Sequence, residues 1–124
     1  MFTKTKAFAS YAVPDIDVAR DFYGKTLGLE TSVNEWRVLV LSIEGSHDVM
    51  VYPKPDHAPA AFTVLNFPVE DIDQAVDALA ERGVEMQRFQ GFDHDDRGIV
   101  RGSGPTIAWF RDPAGNILSV VKPD

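Results

Sequence analysis

The chain has 124 residues, of which 44% are hydrophobic and 25% are charged, and this composition is typical of one globular domain. Its formal net charge of −7 argues against a nucleic-acid partner, because phosphate binding needs a basic surface. It has no cysteine, and no apolar run approaches the roughly 20 residues of a membrane span or forms a secretory signal. We therefore expect a cytoplasmic protein without disulfides and without nucleic-acid or membrane partners.

The first half of the chain predicts the order β-α-β-β-β. A strand at 6–13 precedes a helix at about 16–27, which Asp15 caps at its N-terminus and Gly28 ends. Alternating or apolar stretches then predict three strands, at 30–33, 37–44 and 48–52.

The second half repeats this order. A strand at 62–69 precedes a helix at 72–82, which begins after Asp71 and stops at Gly83. A strand near 84–89 and a glycine-rich loop at 91–106 follow, and Ile99 and Val100 are the residues of that loop that favour a strand. The chain closes with a hairpin at 108–121, whose turn is Asp112-Pro113-Ala114-Gly115-Asn116.

An internal duplication explains this repeated order. At an offset of 56 residues, six of the nine positions from 13 to 21 are identical to those from 69 to 77. The sequence Lys-Pro-Asp also stands near the end of each half, at 54–56 and at 122–124. We interpret the chain as one domain, 1–124, with module one at about 6–54, a linker at about 54–59 and module two at about 60–123.

Two such modules predict an α+β fold in which the two half-sheets form a cupped, incomplete mixed β-barrel with helices outside. A cup of this kind encloses a cavity lined by inward residues of both modules. The pattern leaves open whether the cup forms within one chain or across two copies that exchange modules, and whether the loop at 91–106 covers it.

The paired βαβββ modules resemble the vicinal oxygen chelate superfamily, which includes glyoxalase I, extradiol dioxygenases and the fosfomycin and bleomycin resistance proteins. The resemblance covers about 6–122. It rests on Asp21-Phe22-Tyr23 followed by Gly28-Leu29, and on the Asp-Pro-x-Gly-Asn turn of the closing hairpin. It implies the incomplete barrel and a homodimer, but no single activity, because the superfamily hosts different chemistries on one scaffold.

In metalloenzymes of this superfamily, His, Gln or Glu from the first strand of each module and Glu-like residues from the last strand hold a divalent ion. The resemblance places Phe8 and Val64 at the first-strand positions of this chain. It places Ser119 at the last-strand position of module two. The match of the two Lys-Pro-Asp segments makes Val51 its counterpart in module one, and a register change of two residues would make it Val49. None of these side chains is a good ligand for a divalent ion, so we expect no metal and no cofactor.

The expected lining of the cup is instead mainly apolar, with two hydroxyls and one amide, which is typical of a site for a small organic molecule. The alternative, that these side chains only fill the core, suits the aliphatic residues better than the polar ones, since buried polar groups need partners. The predicted ligand-binding residues are Phe8, Ser10, Val51, Val64, Asn66, Trp109 and Ser119.

The leading hypothesis is therefore a metal-independent protein that binds a partly apolar organic molecule, as bleomycin resistance proteins do. One alternative is a glyoxalase-type lyase or isomerase, or a dioxygenase-like enzyme, with an atypical metal site to which His94 or Asp93 contributes. Such an enzyme could also use acid/base chemistry without a metal. Another is a regulatory module whose cup is filled by its own side chains. No catalytic residue is identified from the sequence.

Overall fold

The computed structural model describes residues 1–102 and 104–123. Ser103, in the loop predicted at 91–106, and Asp124, in the second Lys-Pro-Asp, lie outside the described residues. The chain divides into two compact units, Met1–Ala58 and Pro59–Asp124. In the described part of the chain, no helix has the length and apolar character needed to cross a membrane.

The first unit carries a four-stranded mixed sheet in the order β1-β4-β3-β2. Strands β1 and β4 are parallel, and the other two pairs are antiparallel. The elements are β1 (Ser10–Val13), α1 (Ile16–Arg20), a π-helical segment (Asp21–Thr26), β2 (Glu30–Val33), β3 (Leu39–Ser42) and β4 (Val49–Pro53).

The core of the first unit lies on the face of this sheet that meets the helix. Tyr11, Val51 and Leu39 stand side by side on β1, β4 and β3, and all three are buried. The hydroxyl of Tyr11 donates a hydrogen bond of 2.7 Å to the hydroxyl of Tyr23 in the π-helical segment. Because aligned residues of neighbouring strands point to the same face, this bond places Val51 and Leu39 on the helix side as well.

The second unit carries a three-stranded mixed sheet in the order β5-β7-β6, with β5 parallel and β6 antiparallel to β7. Its elements are β5 (Thr63–Pro68), α2 (Ile72–Glu81), β6 (Thr106–Arg111) and β7 (Ile117–Lys122). Helix α2 begins where the Asp71 side chain accepts a hydrogen bond of 3.0 Å from the Gln74 backbone N–H, as the sequence predicts.

The α+β fold class is confirmed, and each of the two mixed sheets, over the residues described, remains open rather than closing into a barrel. The strand predicted at 84–89 is wrong. Only one isolated bridge, Gln87 with Trp109, forms there, and Val100 forms another with Ile107. Two separate segments thus share the outer edge of β6, and neither pairs with it over enough residues to become a strand.

The closing hairpin forms where the sequence predicts it. The Asp112 carboxylate accepts hydrogen bonds from the backbone N–H groups of Ala114 at 3.0 Å and Asn116 at 2.8 Å. The Asn116 side-chain amide donates a third, at 3.0 Å. Gly115 has a φ of 90°, a conformation that glycine adopts without steric cost. Asp112 and Asn116 are both buried, so the motif is part of the core of this unit.

Candidate functional site

One face of the second sheet combines polar and aromatic side chains. Asn66, Ser119 and Trp109 stand side by side on β5, β7 and β6, and Thr63 and Ile117 are aligned one step along the same face. We call these five residues the Asn66 face. Leu118 and Val120 of β7 point to the opposite face of the sheet because side chains alternate along a strand.

Two hydrogen bonds cross the Asn66 face. The Ser119 hydroxyl donates to Oδ1 of Asn66 at 2.5 Å, and the indole N–H of Trp109 donates to the Thr63 hydroxyl at 3.1 Å. Ser119 is fully buried, whereas Asn66 is exposed. The hydroxyl therefore fixes the orientation of the amide, and the amide is the group of this pair that is exposed to solvent.

Three aromatic rings from the loop before β6 cover Trp109. The ring centroids of Phe89, Phe92 and His94 lie 5.4, 5.1 and 6.0 Å from that of Trp109. Trp109 is left with 9% exposure, while Phe92 keeps 49%. Trp109 was expected to contact a ligand directly, but Phe92 is the ring that faces solvent.

His94 holds this loop in place through both ring nitrogens. Its Nε2 accepts a hydrogen bond of 3.0 Å from the Phe89 backbone N–H, and its Nδ1 lies 2.8 Å from the carbonyl oxygen of Gly98. Nε2 can accept only when it carries no proton, so Nδ1 is the nitrogen that donates to Gly98. Neither nitrogen is free to bind a metal ion in this arrangement.

Ion pairs from two arginines connect the same loop to helix α2. Arg97 forms ion pairs with Asp73 at 2.5 Å and with Asp77, and Arg101 pairs with Asp73 at 2.8 Å. Burial acts to lower the pKa of Arg97, but the carboxylates of Asp77 and Asp73 outweigh it, and the pKa is raised. Burial likewise acts to raise the pKa of Asp95, but backbone N–H groups of Ile99 and Arg97 and the two arginine charges hold it below its usual value.

The two predicted residues of β1 lie at an exposed edge of the first sheet. Phe8 precedes the strand and is 62% exposed, and Ser10 is its first residue and is also exposed. Ser10 pairs with Met50 of β4, and Met50 pairs in turn with Val40 of β3. Ser10, Met50 and Val40 therefore share the face of the first sheet that lies away from the helix.

Val51 was expected to line the ligand cavity together with Ser10, and this is wrong. Val51 is 0% exposed and aligned with Tyr11, on the helix side, whereas Ser10 points to the other face. The pairing of Ser119 with Asn66 in the second sheet corresponds to that of Met50 with Ser10 in the first. Met50, and not Val51 or Val49, is the structural counterpart of Ser119.

Val64 lies at an irregularity of β5. The pairing with β7 shifts between Thr63 and Leu65, so that Val64 is the extra residue of a bulge, and it is half-buried. Val64 and Asn66 are two residues apart, and this spacing predicted that their side chains share a face. The bulge interrupts the alternation of side chains along the strand, so the spacing no longer determines the face on which Val64 lies.

Phe8 and Val64, the first-strand positions that the resemblance implies, carry no ligating group, and the paired positions beside them do not fit a divalent ion either. The second sheet offers Asn66 and Ser119, and the first offers Ser10 and Met50, with no carboxylate or imidazole at any of the four positions. Among residues 1–102 and 104–123, no three His, Asp or Glu side chains come together as a metal-binding group.

Solved structures with the same fold include several small proteins. TnmS3, an antibiotic-binding protein from Streptomyces sp. CB03234, has a TM-score of 0.75 and 24% identity over 100% of this chain and 99% of its own. A member of the glyoxalase, bleomycin resistance protein and dioxygenase superfamily from Sphaerobacter thermophilus DSM 20745 has a TM-score of 0.71 and 25% identity, over 98% and 99%. A putative glyoxalase family protein from Bacillus anthracis has a TM-score of 0.75 and 20% identity, over 100% and 98%.

No curated protein matches the sequence. A family model does, and it spans residues 7–120, which is nearly the whole chain. The chain belongs to the Glyoxalase/Bleomycin resistance protein/Dioxygenase superfamily.

Proposed function

We propose that this protein binds a small, planar, partly apolar organic molecule at the Asn66 face, without a metal ion and without covalent chemistry. The observation that carries the proposal is an exposed amide, oriented by a buried hydroxyl, on the same sheet face as an aromatic cluster with one exposed ring. Such a combination of apolar area with one or two polar anchors is typical of small-molecule sites.

The hydrogen bonds of the Asn66 face determine which polar group of a ligand would fit. Oδ1 of Asn66 accepts from Ser119, whereas its Nδ2 donates to no other group in the described part of the chain. Thr63 accepts from Trp109, so its own proton remains available as a donor. Both groups offer N–H or O–H donors, and a ligand with a carbonyl oxygen satisfies them.

The spacing of the strands limits the size of the ligand. Asn66 and Trp109 flank β7, and neighbouring strands lie about 4.8 Å apart, so the amide and the aromatic cluster are separated by about 10 Å. A molecule of two or three fused rings is large enough to stack on Phe92 while a carbonyl oxygen on its edge accepts a hydrogen bond from the amide.

The structural neighbours agree with this role. TnmS3 is described as an antibiotic-binding protein, and one member of the same superfamily from the same organism is described as a glyoxalase/bleomycin resistance protein. Their identities to this chain are low, so they support the binding of an organic molecule and not a particular compound. The absence of ligating side chains at the strand positions favours binding over the metal-dependent chemistry of the superfamily.

A matched pair of ligands tests the proposal. 9-Fluorenone and fluorene share a planar three-ring frame, and only fluorenone carries a carbonyl. We expect fluorenone to shift the NMR signals of the Asn66 side-chain amide and the Phe92 ring, and to bind about tenfold more tightly than fluorene, the value of one hydrogen bond of about 1.4 kcal/mol.

Two variants and a control sharpen the test. Asn66→Asp keeps the shape of the side chain but replaces the donor with acceptors, and should abolish the preference for fluorenone. Phe92→Ala should weaken both ligands, whereas Phe2→Ala, which removes another exposed ring, should change neither. Equal binding by the unaltered protein and both site variants would contradict the proposal.

The enzymatic alternative has its own assay. Turnover of methylglyoxal and glutathione, measured with and without added nickel or zinc, should remain at the level of the uncatalysed reaction. Metal-dependent turnover, together with calorimetric binding of one metal ion per chain, would favour the glyoxalase-type enzyme instead. A cytoplasmic location remains a prediction of the sequence.

We also propose that the protein forms a homodimer. Strand β1 ends the first sheet and β5 ends the second, and strand edges carry backbone groups that readily pair with another chain. Light scattering should give twice the mass of one chain at micromolar concentration. A monomeric mass that persists at millimolar concentration would contradict this proposal.

A further inference from the structure

His94 connects two points of the loop that covers Trp109. Through Nε2 it holds the backbone of Phe89, five residues before it, and through Nδ1 that of Gly98, four residues after it. Between these anchors stands Phe92, whose ring lies 6.3 Å from the His94 ring and 5.1 Å from that of Trp109. The position of the exposed Phe92 ring therefore depends on a side chain that can gain a proton.

Protonation of the imidazole breaks one of the two anchors. A protonated ring has an N–H at both nitrogens, so Nε2 would present a proton to the N–H of Phe89 instead of accepting from it. The bond to Gly98 survives, because Nδ1 donates in both states. The Phe89 backbone then loses this anchor and keeps its other contacts, while the bond at Gly98 is unchanged.

The charged groups around His94 do not compensate for an added proton. Over the described residues, no carboxylate forms an ion pair with its ring. The Asp95 side chain is occupied by the backbone N–H groups of Arg97 and Ile99 and by the Arg101 side chain. The other charged side chains on the segments that contact the ring are Glu85, Arg88, Asp93, Asp96, Arg97 and Arg111.

The cations among these side chains have other partners. Arg88 donates to the carbonyl oxygen of Asp95, and Arg97 is paired with carboxylates of α2. The Arg111 guanidinium lies 5.8 Å from the centre of the Phe89 ring and donates to the Gly115 carbonyl. None of these cations can accept a hydrogen bond, so none offers a partner to the added proton.

We call the rings of Phe89 and Phe92 that pack on Trp109 the aromatic cover. We propose that His94 is a proton-sensitive latch. Neutral His94 holds the aromatic cover in the arrangement that binds ligand, and protonation of His94 loosens the cover and releases the ligand. The ligand part of this inference rests on the proposed function, whereas the movement of the cover does not. Imidazole gains a proton on acidification, so lowering the pH opens the latch.

The latch is tested first without any ligand. Trp36 is 72% exposed, and Trp36→Phe leaves Trp109 as the only tryptophan, so its fluorescence reports the cover directly. Between pH 8 and pH 5 the emission should change with a single proton transition. Long-range ¹H–¹⁵N spectra should show His94 protonated at Nδ1 alone at pH 8, and at both nitrogens after the transition.

Two substitutions of His94 separate the latch from a merely structural role. In His94→Gln the amide oxygen takes the place of Nε2 as an acceptor that does not titrate, so the fluorescence transition should disappear. In His94→Asn the amide can still donate to Gly98 but the acceptor for Phe89 is lost, so the emission should resemble that of the acid form at every pH.

The other two histidines provide the control. Nε2 of His57 is buried and has no hydrogen-bond partner among the described residues, so His57 is a competing source of pH dependence. His57→Gln and His47→Gln should both keep the transition. If either removes it, or if His94→Gln keeps it, the latch is refuted. If His94→Gln does not fold, the ¹H–¹⁵N spectra of His94 in the Trp36→Phe protein provide the test instead. Protonation of the His94 ring without a change in Trp109 emission would refute the latch.

The last measurement joins the latch to binding. The affinity for 9-fluorenone should fall about tenfold between pH 7.5 and pH 5.5 in the Trp36→Phe protein, and less than twofold in His94→Gln. A fluorescence transition without fluorenone binding at any pH would overturn the proposed function and leave the latch standing. Binding that is equally tight at both pH values, despite the transition, would overturn the link between the two.

Discussion

The Asp112 carboxylate is the group on which the closing hairpin depends most. It is almost fully buried and accepts three hydrogen bonds, from the backbone N–H groups of Ala114 and Asn116 and from the Asn116 side chain. In Asp112→Ala all three donors lose their acceptor. The two donors of Asn116 are buried, so water cannot replace the lost bonds without opening the turn.

The expected loss of stability follows from these bonds. A hydrogen bond to a charged acceptor contributes about 1.5 kcal/mol or more, and a buried donor left unsatisfied costs about as much. Water can reach the half-buried N–H of Ala114, so the loss comes from the two buried donors of Asn116. Asp112→Ala should therefore lower the free energy of unfolding by about 3–4 kcal/mol, and the midpoint temperature by about 12–16 °C for a domain of this size. Asp112→Asn keeps one oxygen as an acceptor and should lose about half as much.

Urea and thermal unfolding followed by circular dichroism measure both variants. The control is Asp21→Ala, which removes an exposed carboxylate 3.4 Å from Lys25 on the same helical turn. An exposed pair of this kind contributes no more than about 0.5 kcal/mol. A loss below 1 kcal/mol in Asp112→Ala, or a loss equal to that of the control, would refute the assignment of the carboxylate as the centre of the turn.

Three further predictions concern other parts of the chain. Gly115→Ala should lower the free energy of unfolding by about 2 kcal/mol, because the φ of Gly115 is 90° and the added carbon would lie 3.2 Å from the ring of Pro59. The control is Gly45→Ala, where φ is 89° but no atom is near, and it should lower the free energy of unfolding by about 1 kcal/mol. Tyr23→Phe should cost about 1–2 kcal/mol by removing the hydroxyl that accepts from Tyr11. The pKa of Asp95 is lower in the folded state than its usual value of 3.8, so its contribution to stability is present above pH 3.8 and is lost as the pH falls through the folded-state pKa. Asp95→Asn should therefore make the free energy of unfolding, measured in urea, fall less steeply below pH 4.

The sequence predicts the helix boundaries well because short-range chemistry determines them. Asp15 and Asp71, placed 56 residues apart by the duplication, both cap helices in extended backbone conformations, with φ of −133° and −129°. Gly28 and Gly83 follow the helices with φ of 75° and 79°, as residues that end helices commonly do. Each of these signals involves a few neighbouring residues and does not depend on pairing with a distant strand.

The sequence predicts the lining of the sheets less well, because the face on which a side chain lies depends on pairing with a distant strand. The match of the two Lys-Pro-Asp segments made Val51 the counterpart of Ser119. The pairing of β1 with β4 makes it Met50, one residue away. A shift of one residue moves a side chain to the other face of a sheet, and this is the reason that Val51 lies in the core beside Tyr11.

The role of His94 could not be predicted from its sequence neighbours. Asp93, Asp95 and Asp96 around it suggest a solvated turn or an atypical metal site. In the structure, the neutral imidazole joins two backbone groups. One ring nitrogen accepts a hydrogen bond from the Phe89 N–H, and the other donates one to the Gly98 carbonyl. Both partners lie in a segment without regular secondary structure, where periodicity gives no information.

The turn motif of the closing hairpin and the candidate site therefore depend on different residues. The Asp112 and Asn116 side chains bond with each other in the buried turn, so the motif that identifies the superfamily stabilises the scaffold and is closed to a ligand. On the strands that the turn connects, Trp109 and Ser119 are also buried, yet each positions a more exposed neighbour, Phe92 and Asn66 respectively. Because Phe92 and Asn66 lie outside the motif, substitutions at these two positions can alter the candidate site and leave the hairpin unchanged.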